Sequence, residues 1–248
     1  MLFTIEKREE IRNAIISNVK SDNRIVSAAV IGSYSRGEVD RWSDIDLTFG
    51  IDETVPTNTV MDSMTEYMIQ EFQAVVLFDI SRGTTMYRVF ILPGCLQVDL
   101  SFSSVSHFGA VGSHFTLLYG SSLEKPQPMP QKTRELFGYM IHHLLRAKFC
   151  AERDRLWQAE FWLAEARNYA LKLACISHNL TIDYGRGYDD LPQEVLDCFT
   201  GSFIAQITKE EIVRGIREVI AGIPMISDEV REYADELGDI LTEITSME

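Results

Sequence analysis

Two aspartates, Asp44 and Asp46, flank Ile45 and are followed by Leu47, within the run IGSYSRGEVDRWSDIDLTFGI from Ile31 to Ile51. Alternation at period two puts both carboxylates on one face of a strand and turns Ile45 and Leu47 to the other. Neighbouring carboxylates on an open face repel each other, and both stay ionised when a cation lies between them. A hard divalent ion such as Mg²⁺ suits them, because it takes oxygen ligands and shares its remaining positions with substrate phosphates. Upstream, Gly32 lets backbone approach a phosphate closely, and Ser33 offers a hydroxyl and an N–H to its oxygens. A third carboxylate, Asp99, lies in LQVDLSF, where Leu96, Val98, Leu100 and Phe102 alternate with Gln97, Asp99 and Ser101. That is the pattern of a half-buried strand with Asp99 on its polar face.

These carboxylates need elements to hold them. Residues 4–20 read as an amphipathic helix with Ile5, Ile11, Ala14, Ile15 and Val19 inside. IVSAAVI at 25–31 reads as a buried strand, a short helix follows the Gly-Ser turn over Tyr34 to Val39, and 45–51 is the second strand. A helix over 57–72 carries Val60, Met64, Tyr67, Met68 and Phe72 at helical spacing. AVVLFDI, MYRVFIL and CLQVDLSF are three further strands. The last two are joined at Pro93-Gly94 by a link too short for a crossover and should pair antiparallel. Residues 121–132 hold three of the seven prolines and few apolar side chains, the composition of a linker. Helical periodicity follows, over 132–150, 152–179, 192–199, 208–221 and 227–246. The expected fold class is α+β: a catalytic domain over 1–120 with a mixed sheet flanked by helices, the linker 121–132, and an all-α domain over 133–248.

Composition narrows the partners. A chain of 248 residues can bury a proper core, and no apolar stretch is long enough to span a membrane. The charged, amphipathic N-terminus lacks the features of a signal peptide, so the expected location is cytoplasmic. Cys95, Cys150, Cys175 and Cys198 stand in apolar contexts without metal-ligand spacing and read as reduced, mostly buried thiols. The five histidines form no metal motif; His142 and His143 are structural or surface residues. The net charge of −14 disfavours grip on a nucleic acid and favours a cationic small molecule.

Hydrophobic residues, Gly32-Ser33 in a GSxxRG context with Arg36 and Gly37, a spacer, Asp44-x-Asp46 on a strand and a later strand with Asp99 together resemble the signature of the DNA polymerase β-like nucleotidyltransferase superfamily. An α/β domain followed by helices resembles its two-domain antibiotic nucleotidyltransferases, which adenylylate aminoglycosides or lincosamides. The resemblance implies transfer of a nucleoside monophosphate from a nucleoside triphosphate, ATP first among candidates, to a hydroxyl of a small, hydroxylated acceptor. Two Mg²⁺ ions would be held by Asp44, Asp46 and Asp99, with Asp99 also able to accept the hydroxyl proton. Modification of a protein, as in toxin–antitoxin nucleotidyltransferases, and a non-catalytic nucleotide-binding regulator are the competing readings. Neither a monomer nor an oligomer is singled out.

Around this core several roles stay open. Ser33 fits a phosphate contact or a helix cap, and the two are compatible. Arg36 fits phosphate or a salt bridge to Asp44 or Glu38. Ser43 fits a phosphate contact or a loop cap, and Trp42 fits packing. Arg82 fits a solvated loop better than a phosphate. On the 152–179 helix two apolar stripes, one containing Trp157, place Glu160 and Arg167 among apolar neighbours. Glu160 would be a general base or acceptor contact, or the ion-pair partner of Arg167. The loop TIDYGRGYDD, with Asp183, Tyr184, Arg186, Asp189 and Asp190, is glycine-rich and polar and fits a cover over the acceptor or a plain surface loop.

Overall fold

Ile11, Ile15 and Val19 repeat every four positions and are all buried along the first helix of the computed structural model, which describes residues 2–111, 115–125 and 130–246. The chain divides into two compact units, 1–129 and 130–248. The first contains, in order, α1 (Ile5–Ser21), β1 (Ile25–Ile31), α2 (Gly32–Arg36), β2 (Ile45–Ile51), α3 (Thr57–Phe72), β3 (Val75–Arg82), β4 (Thr85–Leu92), β5 (Leu96–Ser104), β6 (Gly109–Val111), β7 (Phe115–Tyr119) and β8 (Leu123–Lys125). The second contains α4 (Thr133–Glu152), α5 (Leu156–Ser177), α6 (Gln193–Thr200), α7 (Lys209–Gly222), α8 (Asp228–Leu237) and α9 (Asp239–Thr245). The architecture is α+β, a mixed sheet with helices followed by a helical region.

Six strands form the main sheet in the order β3-β4-β5-β2-β1-β7. Its centre, β5-β2-β1, is the most buried part of the sheet. β2 and β5 run parallel, whereas β4 and β5 pair antiparallel across the Pro93-Gly94 turn. Thr4 caps α1 by accepting the Lys7 N–H. On α3, Val60, Met61, Met64 and Met68 face the core. The core of this unit joins those residues to Phe49, Phe90, Leu100 and Phe102.

The edge strand β3 departs from its apolar composition, with all eight residues exposed. A bulge between Val76 and Phe78 breaks the register with β4, a device that blunts an open sheet edge. β6, β7 and β8 were not expected. β7 extends the main sheet beyond β1, and β8, inside the residues read as a linker, pairs parallel with β6. Residues 126–129 of that linker lie outside the described residues.

In the second unit α4 and α5 pack through Leu136, Met140, Leu144 and Ala147 against Ala159, Leu163, Ala166 and Ala170. α7 completes the core with Ile212, Ile216 and Val219. The continuous helix expected over 227–246 is broken at Gly238, whose φ of 50° and ψ of −124° no helix continues through. Trp157, placed on a buried stripe by periodicity, stands 80% exposed in the first turn of α5. Ile5, expected inside α1, is also exposed. Cys150 and Cys175 are buried thiols as expected, but Cys95, on the turn before β5, is exposed. His143 is enclosed by Tyr139, Trp162 and Tyr169, and His142 faces out. No helix among the described residues is long and apolar enough to cross a membrane.

Tyr119 ties the unexpected strand to the rest. Its hydroxyl donates to the carbonyls of Val19 and Ile25, at 3.1 and 3.4 Å. Burial, helped by Asp22, pushes the phenol up to about 12. The folded state therefore favours the neutral phenol, and the benefit is whole below about pH 10 and lost as pH rises towards 12. Tyr119→Phe should cost about 1 kcal/mol at neutral pH. Urea unfolding should show wild type losing more stability than the variant between those two pH values; parallel curves would remove the phenol from the account.

Candidate active site

Parallel pairing of β2 with β5 sets Asp46 opposite Asp99. Both carboxylates leave the same face of the sheet, while Leu47 and Leu100, one residue on, enter the core at 0% exposure. Asp44 stands just before β2 begins. Carboxylate oxygens of Asp44, Asp46 and Asp99 all lie within 4.8 Å of one another. Three hard oxygen donors at that spacing fit a magnesium-type ion and offer nothing to a soft metal.

Gly32 closes the site from the side of β1. It carries φ +70°, and a Cβ built there would lie 1.9 Å from Oδ2 of Asp46. The backbone of the Gly-Ser turn thus rests directly against the Asp46 carboxylate. Ser33 occupies the second position of α2 rather than its cap, which falls on Ile31. The helix-cap reading of Ser33 is therefore corrected, and among the described residues its hydroxyl has no hydrogen-bond partner. Ser35 donates to the Gly32 carbonyl and tightens the turn.

Arg36 is held by Glu38, Nε to Oε2 at 2.5 Å, one of the two partners foreseen for it. Ser43 closes the loop before Asp44: its hydroxyl accepts the Asp40 N–H at 2.9 Å and donates to Asp40 Oδ1 at 3.0 Å. The Trp42 N–H and this hydroxyl hold the Asp40 carboxyl below its usual range. Trp42 itself does not pack inward; it is exposed, with the Arg41 guanidinium over its ring.

Sequence reasoning missed Arg8. Its guanidinium, 3% exposed on α1, donates to the carbonyls of Asp40 and Ser43 at 2.5 and 3.2 Å. This buried fork pins the loop that delivers Asp44. The partners lie more than thirty residues away, so no local pattern announces the contact; an arginine on the helix's inward side was the one available sign. Gln97 was also missed. Its amide donates to Asp99 Oδ1 at 2.9 Å and fixes the carboxyl's orientation. Burial pushes the Asp99 carboxyl above its usual range, against the pull of Gln97, and the Asp44 charge adds to the rise.

Glu160 lies on α5 in the second unit. Its Oε1 is 3.8 Å from Arg167 Nη2, and burial raises its carboxyl against the pull of that arginine. Arg167 is itself buried, donating to the Ser202 carbonyl at 2.9 Å with its guanidinium 4.0 Å from the Phe203 ring centre. The ion pair foreseen for Glu160 is thus present. Arg82 sits on exposed β3, its guanidinium over Tyr87.

The model of the nucleotidyltransferase domain family matches residues 9–162. Among solved structures, an aminoglycoside 6-adenyltransferase from Bacillus subtilis is 12% identical, with a TM-score of 0.42 over 99% of this chain and 100% of that one. A cyclic dinucleotide synthase, CdnE from Elizabethkingia meningoseptica, solved with GTP and Apcpp, is 13% identical, with a TM-score of 0.31 over 88% and 80% of the two chains. The polymerase core of TRAMP, an RNA surveillance complex, is 13% identical with a TM-score of 0.31 over 99% and 85%. No curated protein matches the chain in sequence. Likenesses this distant point to no substrate, whereas the family match takes in more than half of the chain, including all three clustered aspartates. The chain belongs to the nucleotidyltransferase domain family and is a nucleotidyltransferase.

Proposed function

We propose that the protein transfers a nucleoside monophosphate from a nucleoside triphosphate, ATP first, to a hydroxyl of a small acceptor. The observation that carries this reading is the meeting of Asp44, Asp46 and Asp99 within 4.8 Å beside the Gly32 turn. Two Mg²⁺ ions would be held by these three carboxylates, and when bound they neutralise triphosphate charge and acidify the acceptor hydroxyl. Gly32 and Ser33 would receive the phosphates through the open backbone and the unengaged hydroxyl. Arg36 and Ser43 would act by shaping the turn and the loop, through Glu38 and Asp40. Asp99 would take the hydroxyl proton, with Gln97 keeping it aimed.

A net charge of −14 supports a small acceptor over a nucleic acid. The helical residues 133–248 are proposed to bind part of that acceptor, with Glu160 either touching it or serving Arg167. The test needs no acceptor. Thermal unfolding is followed with Mg²⁺ plus each nucleoside triphosphate, for wild type and Asp46→Ala. A triphosphate at a hundred times its Kd adds about 2.7 kcal/mol, several degrees of Tm. The rise should require Mg²⁺ and vanish in Asp46→Ala. No rise with any triphosphate at saturation would sink the reading.

A further inference from the structure

The stretch that carries much of the site holds itself poorly. From Ile31 to Asp44, which takes in Gly32, Ser33 and the loop ahead of β2, no residue is buried. α2 is five residues long and has no side-chain hydrogen bond at its cap, and a helix that short does not stand on its own hydrogen bonds. Its placement must come from outside, and two contacts from one turn of α1 reach the stretch at its two ends. Arg8 donates to the carbonyls of Asp40 and Ser43. One turn on, the Arg12 guanidinium lies 3.8 Å from the centre of the Tyr34 ring, on α2 directly after Ser33.

A single carboxylate links the two arginines. Arg8 and Arg12 share a face of α1, where like charges one turn apart repel. Glu9 lies between them: its Oε1 accepts from Arg8 Nε at 3.2 Å, and its Oε2 is 2.7 Å from Arg12 Nη2. The Arg8 side chain is 3% exposed, that of Glu9 30% and that of Arg12 13%. Among the described residues, Nε and Nη1 of Arg12 are buried and have no hydrogen-bond partner. A buried guanidinium with two open donors is not placed for its own solvation. Departures from polar satisfaction of this kind concentrate where function, rather than stability, sets the geometry. What holds this guanidinium is Glu9 on one side and the Tyr34 ring on the other.

We propose that Arg8, Glu9 and Arg12 form a clamp on α1 that positions two halves of the active site. Arg8 sets the loop that delivers Asp44 to the metal, and Arg12, through Tyr34, sets the Gly32-Ser33 turn for the triphosphate. All three are positioning residues and touch neither metal nor nucleotide. The metal and the triphosphate are those of the nucleotidyl-transfer reading, on which the clamp rests. The roles separate. Arg8 acts on the metal half, because its fork ends on the carbonyls of Asp40 and of Ser43, the residue before Asp44. Arg12 acts on the phosphate half, because Tyr34 follows Ser33 in the same turn of α2. Glu9 acts on both, since without its charge two confined cations face each other. Lysine does not replace Arg8, because its one nitrogen lacks the fork that reaches a carbonyl and Glu9 together.

Two titrations on the full chain read the halves apart. Mn²⁺ alone is followed by the loss of its free electron paramagnetic resonance signal, and ATP at saturating Mg²⁺ is followed by calorimetry. Arg8→Lys should lower Mn²⁺ affinity about tenfold or more and leave the ATP titration near wild type. Tyr34→Leu and Arg12→Met should do the reverse, lowering ATP affinity about tenfold with Mn²⁺ uptake unchanged. Tyr34→Phe keeps the ring and should match wild type. Glu9→Gln should weaken both, whereas Glu10→Gln, which breaks only the exposed pair with Lys7, should weaken neither. Should Arg8→Lys fail to fold, Glu9→Gln carries the metal arm. Loss of stability with both affinities intact would overturn the clamp. So would equal losses of the two affinities in Arg8→Lys and Tyr34→Leu, or a Tyr34→Phe as weak as Tyr34→Leu. Wild type reports the underlying reading separately. A wild type that takes up neither Mn²⁺ nor ATP fails nucleotidyl transfer. A wild type that takes up both, beside variants that match it, fails the clamp alone.

Discussion

Gly32→Ala should abolish Mg²⁺-dependent triphosphate binding and destabilise the protein, whereas Gly83→Ala should only destabilise it. Both glycines have positive φ, +70° and +59°. An L-residue there costs about 1–2 kcal/mol, because its Cβ crowds the following carbonyl. The surroundings separate them. Gly83 lies in the exposed β3–β4 turn and a Cβ there meets nothing within 4 Å. At Gly32 the Cβ would fall 1.9 Å from Oδ2 and 2.7 Å from Cγ of Asp46. Either the turn or the carboxylate must move, and Asp46 is fixed between strands by Ile45 and Leu47 in the core. Displacement of about 1 Å at a reacting centre costs roughly a hundredfold, and here it falls on a proposed metal ligand. Urea unfolding should report a loss of about 1–2 kcal/mol for Gly83→Ala and a larger one for Gly32→Ala. Calorimetric titration with Mg²⁺ and ATP should report near wild-type affinity for Gly83→Ala and at least a hundredfold loss for Gly32→Ala. Equal affinities would mean that Gly32 serves chain geometry alone.

That contact explains why so much of the site was legible in the sequence. A glycine is demanded where backbone meets a carboxylate, and period-two alternation gives each strand carboxylate its face without knowledge of the rest of the fold. Asp44 and Asp46 could therefore be set on one face from spacing, Asp99 joined them through the family resemblance, and α3, β1 and β2 took the expected bounds because their apolar patterns are long and regular. What escaped depends on contacts distant in sequence. Arg8 reaches a loop more than thirty residues away, and its place on the inward side of α1 is the one sign in IEKREEIR that separates it from its neighbours. β7 is short and half-exposed, so its apolar run lacks the depth that marked the central strands. Trp157 misled because periodicity counts residue types, whereas burial depends on which face meets a partner. Gly238 ends α8 through a positive φ, yet a glycine within a helical pattern is often tolerated.

Asp99→Asn should all but stop nucleotidyl transfer while making the folded protein more stable. Transfer, followed as pyrophosphate release, should fall about a thousandfold, within the range for loss of a positioned general base. Asparagine keeps the shape and still accepts the Gln97 amide, so the local packing should survive while the base and one proposed metal-ligand charge are both removed. The stability change has the opposite sign because of the direction of the Asp99 shift. Burial and the Asp44 charge raise its pKa in the folded state, so the folded protein bears a cost for the ionised form that the unfolded chain does not. In wild type that cost is present at neutral pH and is relieved as pH falls through the raised pKa. In Asp99→Asn it is absent throughout. Thermal unfolding without Mg²⁺ should therefore give a higher Tm for the variant at pH 7, the two curves converging as pH falls. Added Mg²⁺ should narrow the gap from the other side, by stabilising wild type more. A variant both inactive and less stable at pH 7 would make Asp99 a structural carboxylate, and the base would then have to be sought elsewhere.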